Sequence, residues 1–164
     1  MRSRLPRTAA ILAASLFCLA SYCPAEDFSG KVVSVADGDT IGVMHLGKAE
    51  RVRLNGIDCP EGGQAFGARA KQFTAELVFG KEVLVKTIGR DRYGRTIGDV
   101  FLSDGRNLNR ELVKAGFAWW FTRYSRDEDL RQLEAEARAA KRGLWADPSP
   151  TAPWEFRKRP RQQQ

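Results

Sequence analysis

The sequence lacks the features of several protein classes. No apolar run long enough to cross a membrane occurs after residue 25, which excludes a polytopic membrane protein. The length of 164 residues leaves no room for a second large domain. The chain has one histidine, His45, without a second histidine or cysteine at ligand spacing, so we expect no histidine-based metal site.

Residues 1–25 have the organisation of an export signal. A basic start precedes a short apolar run at residues 8–20, and small residues end the segment at Ala25. The apolar run is shorter than the roughly 17 to 25 residues of a membrane-spanning helix, which makes an uncleaved anchor the weaker alternative. We therefore predict a cleaved signal peptide, an exported protein in the periplasm or the medium, and no membrane span after cleavage.

Cysteine is also scarce in the sequence. Cleavage of the signal would remove Cys18 and Cys23 and leave Cys59 as a lone thiol, which excludes an intrachain disulfide. The exported chain must then be held together by its core, and 43% of the sequence is hydrophobic. We predict one domain at residues 26–147, followed by a basic, proline-rich mobile tail at residues 148–164.

The periodicity of the apolar residues predicts an α+β fold. Alternation between turn signals predicts five strands, at residues 31–35, 40–44, 51–57, 82–87 and 96–102. Spacings of three and four predict three helices, at residues 64–79, 107–115 and 127–142. In the third strand we expect Val52 to face the core and Arg53 to lie on the polar face.

Three short polar segments lie at the ends of predicted strands, at residues 37–40, 53–61 and 91–95. Their carboxylates are oxygen ligands that suit a hard cation such as calcium, and their arginines carry a planar fork that fits phosphate. Together they predict metal-assisted phosphodiester chemistry. Each segment alone has a simpler interpretation, since Asp37 to Asp39 could be only a hairpin turn and Arg53 only a solvated strand residue.

The order of these segments resembles that of the staphylococcal nuclease family. The resemblance runs from Lys31 to Trp145 and includes Asp-Gly-Asp-Thr at 37–40, Arg-Leu-x-x-Ile-Asp-Cys-Pro-Glu at 53–61 and Asp-Arg-Tyr-Gly-Arg at 91–95. It implies an OB-fold, which is a five-stranded β-barrel, with about three helices packed outside it. The strand and helix counts obtained from periodicity agree with that fold.

The resemblance also implies a calcium site. It assigns the ion to the carboxylates of Asp39 and Asp58 and to the backbone carbonyl of Cys59. The family reference has threonine at the position of Cys59, but a carbonyl ligand does not depend on the side chain. The lone thiol would then lie near the metal, where it could oxidise.

The remaining roles implied by the resemblance concern catalysis and substrate binding. Glu61 matches the general base that activates the attacking water. Arg53 and Arg95 match the pair that binds the scissile phosphate as negative charge develops on it. Tyr93 and Tyr124 match tyrosines that line the nucleotide site.

The chain departs from the family pattern in two places. Thr122 stands where the family reference has another tyrosine, and the neighbouring Trp119 or Phe121 could stack on a base, although core packing is the favoured alternative. The loop after Glu61 is shorter than in the reference, since only two glycines precede Gln64. We expect the shorter loop to hold Glu61 more rigidly.

The resemblance implies an exported, calcium-dependent nuclease that hydrolyses DNA and RNA with little base specificity and leaves 3′-phosphate ends. We also expect a monomer. The alternative is a non-catalytic OB-fold module that binds nucleic acid. The acids favour the enzyme, because Asp39, Asp58 and Glu61 would repel phosphate in a binding module that holds no cation.

Overall fold

The computed structural model describes residues 26–158, in which four strands precede the first helix and strands and helices then follow in turn. The predicted signal peptide and residues 159–164 of the predicted tail lie outside the described residues. The described strands are β1 (Phe28–Asp37), β2 (Thr40–His45), β3 (Lys48–Leu54), β4 (Ile57–Asp58), β5 (Glu82–Arg90), β6 (Thr96–Leu102) and β7 (Trp119–Trp120). The described α-helices are α1 (Gly67–Val78), α2 (Leu108–Lys114), α3 (Glu128–Ala139) and α4 (Pro153–Phe156), with a 3₁₀ helix at Gly143–Ala146.

Five of the strands close into a barrel in the order β1-β2-β3-β6-β5. All neighbouring pairs are antiparallel except β3 and β6, which run parallel with Val52 opposite Thr96. Helices α1 and α2 carry buried apolar residues that join the barrel core, and α3 packs against α2. The α+β class and the five-stranded OB-fold are confirmed. Within residues 26–158, no helix is both long and apolar enough to cross a membrane.

The barrel interior is filled by β-branched side chains that alternate with exposed ones. Each strand of the barrel contributes a valine with no exposed surface: Val32, Val43, Val52, Val85 and Val100. Complete burial of a valine contributes about 1.5 to 3 kcal/mol relative to leaving it exposed, so the barrel needs no disulfide to close. The alternation predicted for β3 is confirmed, because Val52 and Leu54 are buried on one face.

The predicted strand over residues 51–57 is interrupted by a turn. Gly56 has a φ of +73°, a left-handed conformation that ends β3 and starts β4 in a second sheet, where Asp58 pairs with Trp119. The buried Asn109 holds this turn, because its Nδ2 donates to the carbonyl of Asn55 at 2.9 Å. The chain therefore leaves the barrel just before the acidic residues of the second polar segment.

Residues 148–158, here called the 148–158 segment, begin the tail that we predicted to be mobile. The described part of this tail contains α4, which starts with a proline at its first turn. Ala152 and Pro153 are buried, and the ring of Trp154 stacks on Phe121 with centroids 5.1 Å apart. This part of the tail is thus packed against the domain.

Candidate active site

The turn between β1 and β2 places Asp39 at the edge of the barrel. The predicted hairpin is confirmed, with Asp37 opposite Thr40. Gly38 does not have a positive φ, so the turn conformation does not require glycine. A Cβ on Gly38 would instead lie 2.8 Å from Sγ of Cys59 and 2.9 Å from Cβ of Ala70. Glycine is needed because the turn, the Cys59 side chain and α1 approach so closely.

Asp39, Arg53 and Asp58 form a group of buried charges that we call the buried cluster. Arg53 bridges the two acids, with Nη1 3.2 Å from Oδ2 of Asp39 and Nη2 2.9 Å from Oδ1 of Asp58. The same guanidinium donates at 3.0 Å to the carbonyls of Leu54 and Ile57. The exposed fractions of the side chains are 8% for Asp39, 15% for Arg53 and 1% for Asp58. The cluster is therefore shielded from solvent and fixed by the β1–β2 turn and by the ends of β3 and β4, which carry its three residues.

Burial raises the pKa values of both acids in the buried cluster. Burial raises the pKa of Asp39 to about 7, against the opposing attraction of Arg53. The pKa of Asp58 is also raised by burial, although hydrogen bonds from Arg157 and the charge of Arg53 act to lower it. Two carboxylates that share one internal arginine provide an environment in which an additional cation is favoured.

Cys59 contributes its backbone to the cluster and its side chain to the core. Its N–H donates to Oδ2 of Asp39 at 2.6 Å, which ties the end of β4 to the β1–β2 turn. The thiol is free and buried, and burial raises the pKa of the thiol well above its usual range. The side chain therefore favours the neutral thiol form, which is less reactive than a thiolate.

Glu61 lies beside the cluster and is paired with an arginine from the 148–158 segment. Nη1 of Arg157 donates to Oε1 of Glu61 at 2.5 Å. Nη2 of the same side chain donates to Oδ2 of Asp58 at 2.7 Å. Although burial alone would lower the pKa of Arg157, its hydrogen bonds to Asp58 and Glu61 raise it. Arg157 thus joins the predicted base to a predicted metal ligand.

The short loop after Glu61 is closed by its own backbone. The N–H of Gln64 donates to the Glu61 carbonyl at 2.8 Å, and the N–H of Glu61 donates to Oε1 of Gln64 at 3.2 Å. A Cβ on Gly67 would lie 1.9 Å from the Glu61 carbonyl oxygen, whereas Gly62 and Gly63 have open space around them. The loop therefore holds the backbone of Glu61 against the first turn of α1.

Arg95 stands apart from these contacts, in residues 91–95, here called the 91–95 loop. Its Nε donates to Oδ2 of Asp91 at 2.6 Å, and its guanidinium lies 5.7 Å from the ring centroid of Tyr93. No hydrogen bond or ion pair within residues 26–158 joins Arg95 to the buried cluster. Arg95 immediately precedes β6, the strand that pairs with β3, in which Ile97 is opposite Arg53.

The two predicted substrate tyrosines are exposed. Tyr93 is 67% exposed and accepts a hydrogen bond from Arg92, while Tyr124 is 68% exposed and meets Phe121 edge to face. The half-buried Trp119 and Phe121, which the sequence offered for base stacking, pack against other rings of the protein. Trp119 contacts the rings of Trp145 and Trp154 with centroids 4.5 and 5.5 Å apart, which agrees with the favoured core interpretation.

The structure brings together the predicted residues Asp39, Arg53, Asp58, Cys59 and Glu61, and leaves the half-buried Arg95 and the exposed Tyr93 and Tyr124 apart from them. Sequence reasoning missed Arg157 at this site, because it stands in a basic run without a motif. It also missed Thr74, whose hydroxyl donates to the Gly38 carbonyl at 2.6 Å and supports the turn from α1. Proline and tryptophan at the start of α4 were the available signal that the tail forms a helix.

The donor chemistry of the buried cluster fits a hard divalent cation. Asp39 and Asp58 offer carboxylate oxygens, and their raised pKa values reflect their burial away from solvent. Residues 26–158 contain no group of three or more His, Cys, Asp or Glu side chains that could together hold a metal ion. A cation would therefore depend on these two acids together with backbone carbonyls and water.

The closed five-stranded barrel defines the protein as an OB-fold. The arginines among the acids at one edge of the barrel are residues of a type that binds phosphate groups. The family model described as "Staphylococcal nuclease homologue" matches residues 51–147, which include Arg53, Glu61 and Arg95 but not Asp39. The chain belongs to this family.

Two relatives of similar length and one longer relative support the assignment. The chain is 43% identical over 159 residues to an "Uncharacterized endonuclease" of Escherichia coli O157:H7, covering 97% of this chain and 99% of the relative. It is 40% identical over 168 residues to a "Micrococcal nuclease" of Shigella flexneri, covering 96% of each. A "Staphylococcal-like nuclease CAN1" of Arabidopsis thaliana is 39% identical over 116 residues, which cover 71% of this chain and 36% of that relative.

Proposed function

We propose that the protein is a calcium-dependent nuclease that hydrolyses phosphodiester bonds in DNA and RNA and leaves 3′-phosphate ends. The observation that carries the proposal is the buried cluster, in which Asp39 and Asp58 share one arginine beside Glu61. Membership of the staphylococcal nuclease family supports the same reaction. A protein that only bound nucleic acid would gain nothing from burying two carboxylates near the phosphate.

In the proposed reaction, Glu61 accepts a proton from the attacking water as the new bond to phosphorus forms. The bond from phosphorus to the 5′ oxygen breaks, that oxygen takes a proton from solvent water, and the phosphate stays on the 3′ end. Asp39, Asp58 and the Cys59 carbonyl would hold a calcium ion, which supplies positive charge to the phosphate oxygens when bound. The fixed backbone of Glu61 would keep its carboxylate in one position relative to the cluster.

The two arginines bind the phosphate in the proposed reaction. Arg53 is already oriented by Leu54, Ile57 and the two aspartates, so its position costs little reorganisation during the reaction. Arg95 approaches from the 91–95 loop, which leads into the strand beside Arg53, after its guanidinium exchanges Asp91 for phosphate. Their planar forks stabilise the charge that develops on the equatorial oxygens.

The decisive experiment measures cleavage of single-stranded DNA and RNA with calcium and with a chelator, followed by analysis of the end groups. Cleavage with calcium alone and 3′-phosphate products would support the proposal. The variant Glu61→Gln should bind substrate and lose cleavage, whereas the control Glu76→Gln, at an exposed position of α1, should behave like the parent. Binding without cleavage under all conditions would instead favour the alternative OB-fold binding module.

We also propose that the protein is exported as a monomer after removal of residues 1–25. The basic start and the short apolar run support this part of the proposal. The intact mass of the protein recovered outside the cytoplasm should correspond to a chain that begins at Glu26. A mass that retains Cys23 would contradict the cleavage position, and sedimentation as a dimer would contradict the monomer.

A further inference from the structure

Arg157 occupies the open side of the acidic site. Its two Nη atoms contact Asp58 and Glu61, and Nη1 also lies 3.4 Å from Oδ1 of Asp58. Arg53 already donates to Oδ1 of Asp58 from the barrel side. Both oxygens of this carboxylate are thus covered by guanidinium groups, and the side chain is only 1% exposed. A cation that reaches Asp58 from solvent must take the place of Arg157.

The 148–158 segment, which carries Arg157, packs in a defined position beside the site. Trp154 stacks on Phe121 and meets Trp119 edge to face, and Ala152 is buried. Gln64, which hydrogen-bonds the backbone of Glu61, also donates to the Thr151 carbonyl. The segment therefore fixes the position from which the Arg157 side chain reaches the acids.

The contact with Arg157 is nevertheless accessible to solvent. The side chain of Arg157 is 44% exposed, whereas that of Arg53 is 15% exposed. A cleft of about 160 Å³, lined in part by Pro60, Gln64 and Phe156, remains between the segment and the loop after Glu61. Because an arginine side chain is flexible, that of Arg157 can move away from the acids while the 148–158 segment stays packed against the domain.

Charge favours such an exchange. When all three are ionised, Asp39, Asp58 and Glu61 carry three negative charges, against two positive charges on Arg53 and Arg157. A divalent cation in place of Arg157 would supply twice its charge at the same acids. The ion pairs of Arg157 must be broken first, which makes occupation by the cation and by the arginine competitive.

We propose that Arg157 is an internal occupant of the cation site, which a divalent cation must displace from Asp58 and Glu61 in order to bind. The inference rests on the proposed function for the identity of the cation, and it adds a determinant of affinity that the barrel itself does not contain. Displacement of Arg157 also frees Glu61 to act as a base. The arginine thereby links the binding of the cation to the release of the carboxylate.

The test is calorimetric titration of the full chain with calcium alone. Arg157→Gln keeps much of the side-chain length and removes the charge, so it should tighten calcium binding by roughly 5- to 150-fold, the usual range for two coupled binding events. Arg157→Lys keeps the charge without the fork and should fall between the two. The control Lys158→Gln removes an adjacent charge that pairs with Glu155 and should leave the affinity unchanged.

Thermal unfolding provides a second readout that does not need activity. In chelator, Arg157→Gln should have a lower Tm than the parent, because it loses its ion pairs with Asp58 and Glu61. In saturating calcium the difference should shrink, because the parent arginine has then been displaced. An equal difference in Tm under both conditions would overturn the proposal.

Calcium affinity that is unchanged or weaker in Arg157→Gln would also overturn the proposal, and absence of calcium binding by both proteins would refute it together with calcium dependence. Tighter binding by Arg157→Gln in a protein that cleaves no substrate would support the proposal and refute the nuclease. The two conclusions therefore fail separately.

Discussion

The buried cluster and the 91–95 loop each hold an arginine against an aspartate, but their surroundings differ. Arg53 is fixed by two acids and two carbonyls and is 15% exposed. Arg95 is paired with Asp91 of its own loop, beside the exposed ring of Tyr93. An arginine–aspartate pair thus links separate strands in the buried cluster, whereas in the 91–95 loop it links two residues of the same loop.

This difference separates the two arginines that the family pattern treats as a pair. Removal of the Arg53 charge leaves Asp39 without its ion-pair partner inside the protein and leaves Asp58 with Arg157 alone. Arg95 has a single ion-pair partner, Asp91, with side chains 23% and 15% exposed, so its removal leaves fewer groups unpaired. Substitutions at Arg53 should therefore affect both stability and activity, whereas substitutions at Arg95 should affect activity with a smaller loss of stability.

The largest effect is expected for Arg53→Ala. Removal of this guanidinium leaves Asp39 and Asp58 buried without their shared partner, which should lower the free energy of unfolding by about 3 to 5 kcal/mol. Arg95→Ala, at the exposed loop, should change it by about 1 kcal/mol or less. Urea denaturation at pH 7 without calcium measures both, and equal losses would contradict the distinction between the two regions.

The next effect concerns turnover. Arg95→Lys keeps the charge but loses the planar fork, so it should lower kcat by roughly 10² or more with a smaller change in KM. Arg92→Lys is the matched control, because Arg92 is exposed in the same loop. A kcat within a few-fold of the parent for Arg95→Lys would remove Arg95 from the proposed catalytic groups.

A third prediction compares the acids of the two regions as cation ligands. Loss of an outer-shell partner typically weakens metal binding about 10- to 100-fold, and Asp39→Asn or Asp58→Asn should cost at least as much. Asp91→Asn removes an acid of the 91–95 loop and should leave calcium affinity unchanged. Calorimetry with calcium measures all three, and weaker binding by Asp91→Asn alone would move the proposed site to that loop.

The smallest effect concerns acid stability. Burial alone would raise the pKa of Asp91, but hydrogen bonds from the side chain and the N–H of Arg95 and from the N–H of Tyr93 lower it. A lowered pKa in the folded state stabilises the protein above about pH 4, and the stabilisation is lost as the pH falls further. The free energy of unfolding of Asp91→Asn should therefore approach that of the parent between pH 5 and pH 3. A constant difference over this range would contradict the prediction.

The parts of the molecule that follow from local sequence were predictable. Alternation identified the five barrel strands, and the Asp-Gly-Asp turn located the hairpin that carries Asp39. The dipeptide Asn55-Gly56 is a turn signal that the predicted strand passed over, whereas the support of this turn by Asn109 comes from 54 residues beyond Asn55 and had no local signal. The predicted strand was correct up to Leu54 and wrong at residues 55–56, after which Ile57 starts β4 in a second sheet.

Predictability within the site follows the same rule. The family motifs placed Asp58, Cys59 and Glu61 close to Asp39, as the structure finds. Arg157 is 99 residues from Asp58, in a run of basic residues without periodicity, so only folding reveals its contact. The contacts of Arg95 with its own loop also lay beyond the motif, which specifies residue types and not their partners.

The glycines of the loop after Glu61 set the limits within which this region can be redesigned. Gly62 and Gly63 meet no atoms that a new side chain would displace, whereas a Cβ on Gly67 would collide with the Glu61 carbonyl. The hydrogen bonds between Glu61 and Gln64 span these two glycines, so an insertion at residues 62–63 would separate the partners that hold the Glu61 backbone. Side chains can thus vary at residues 62 and 63 under evolution or engineering, whereas the loop length and the glycine at residue 67 keep the Glu61 backbone in place.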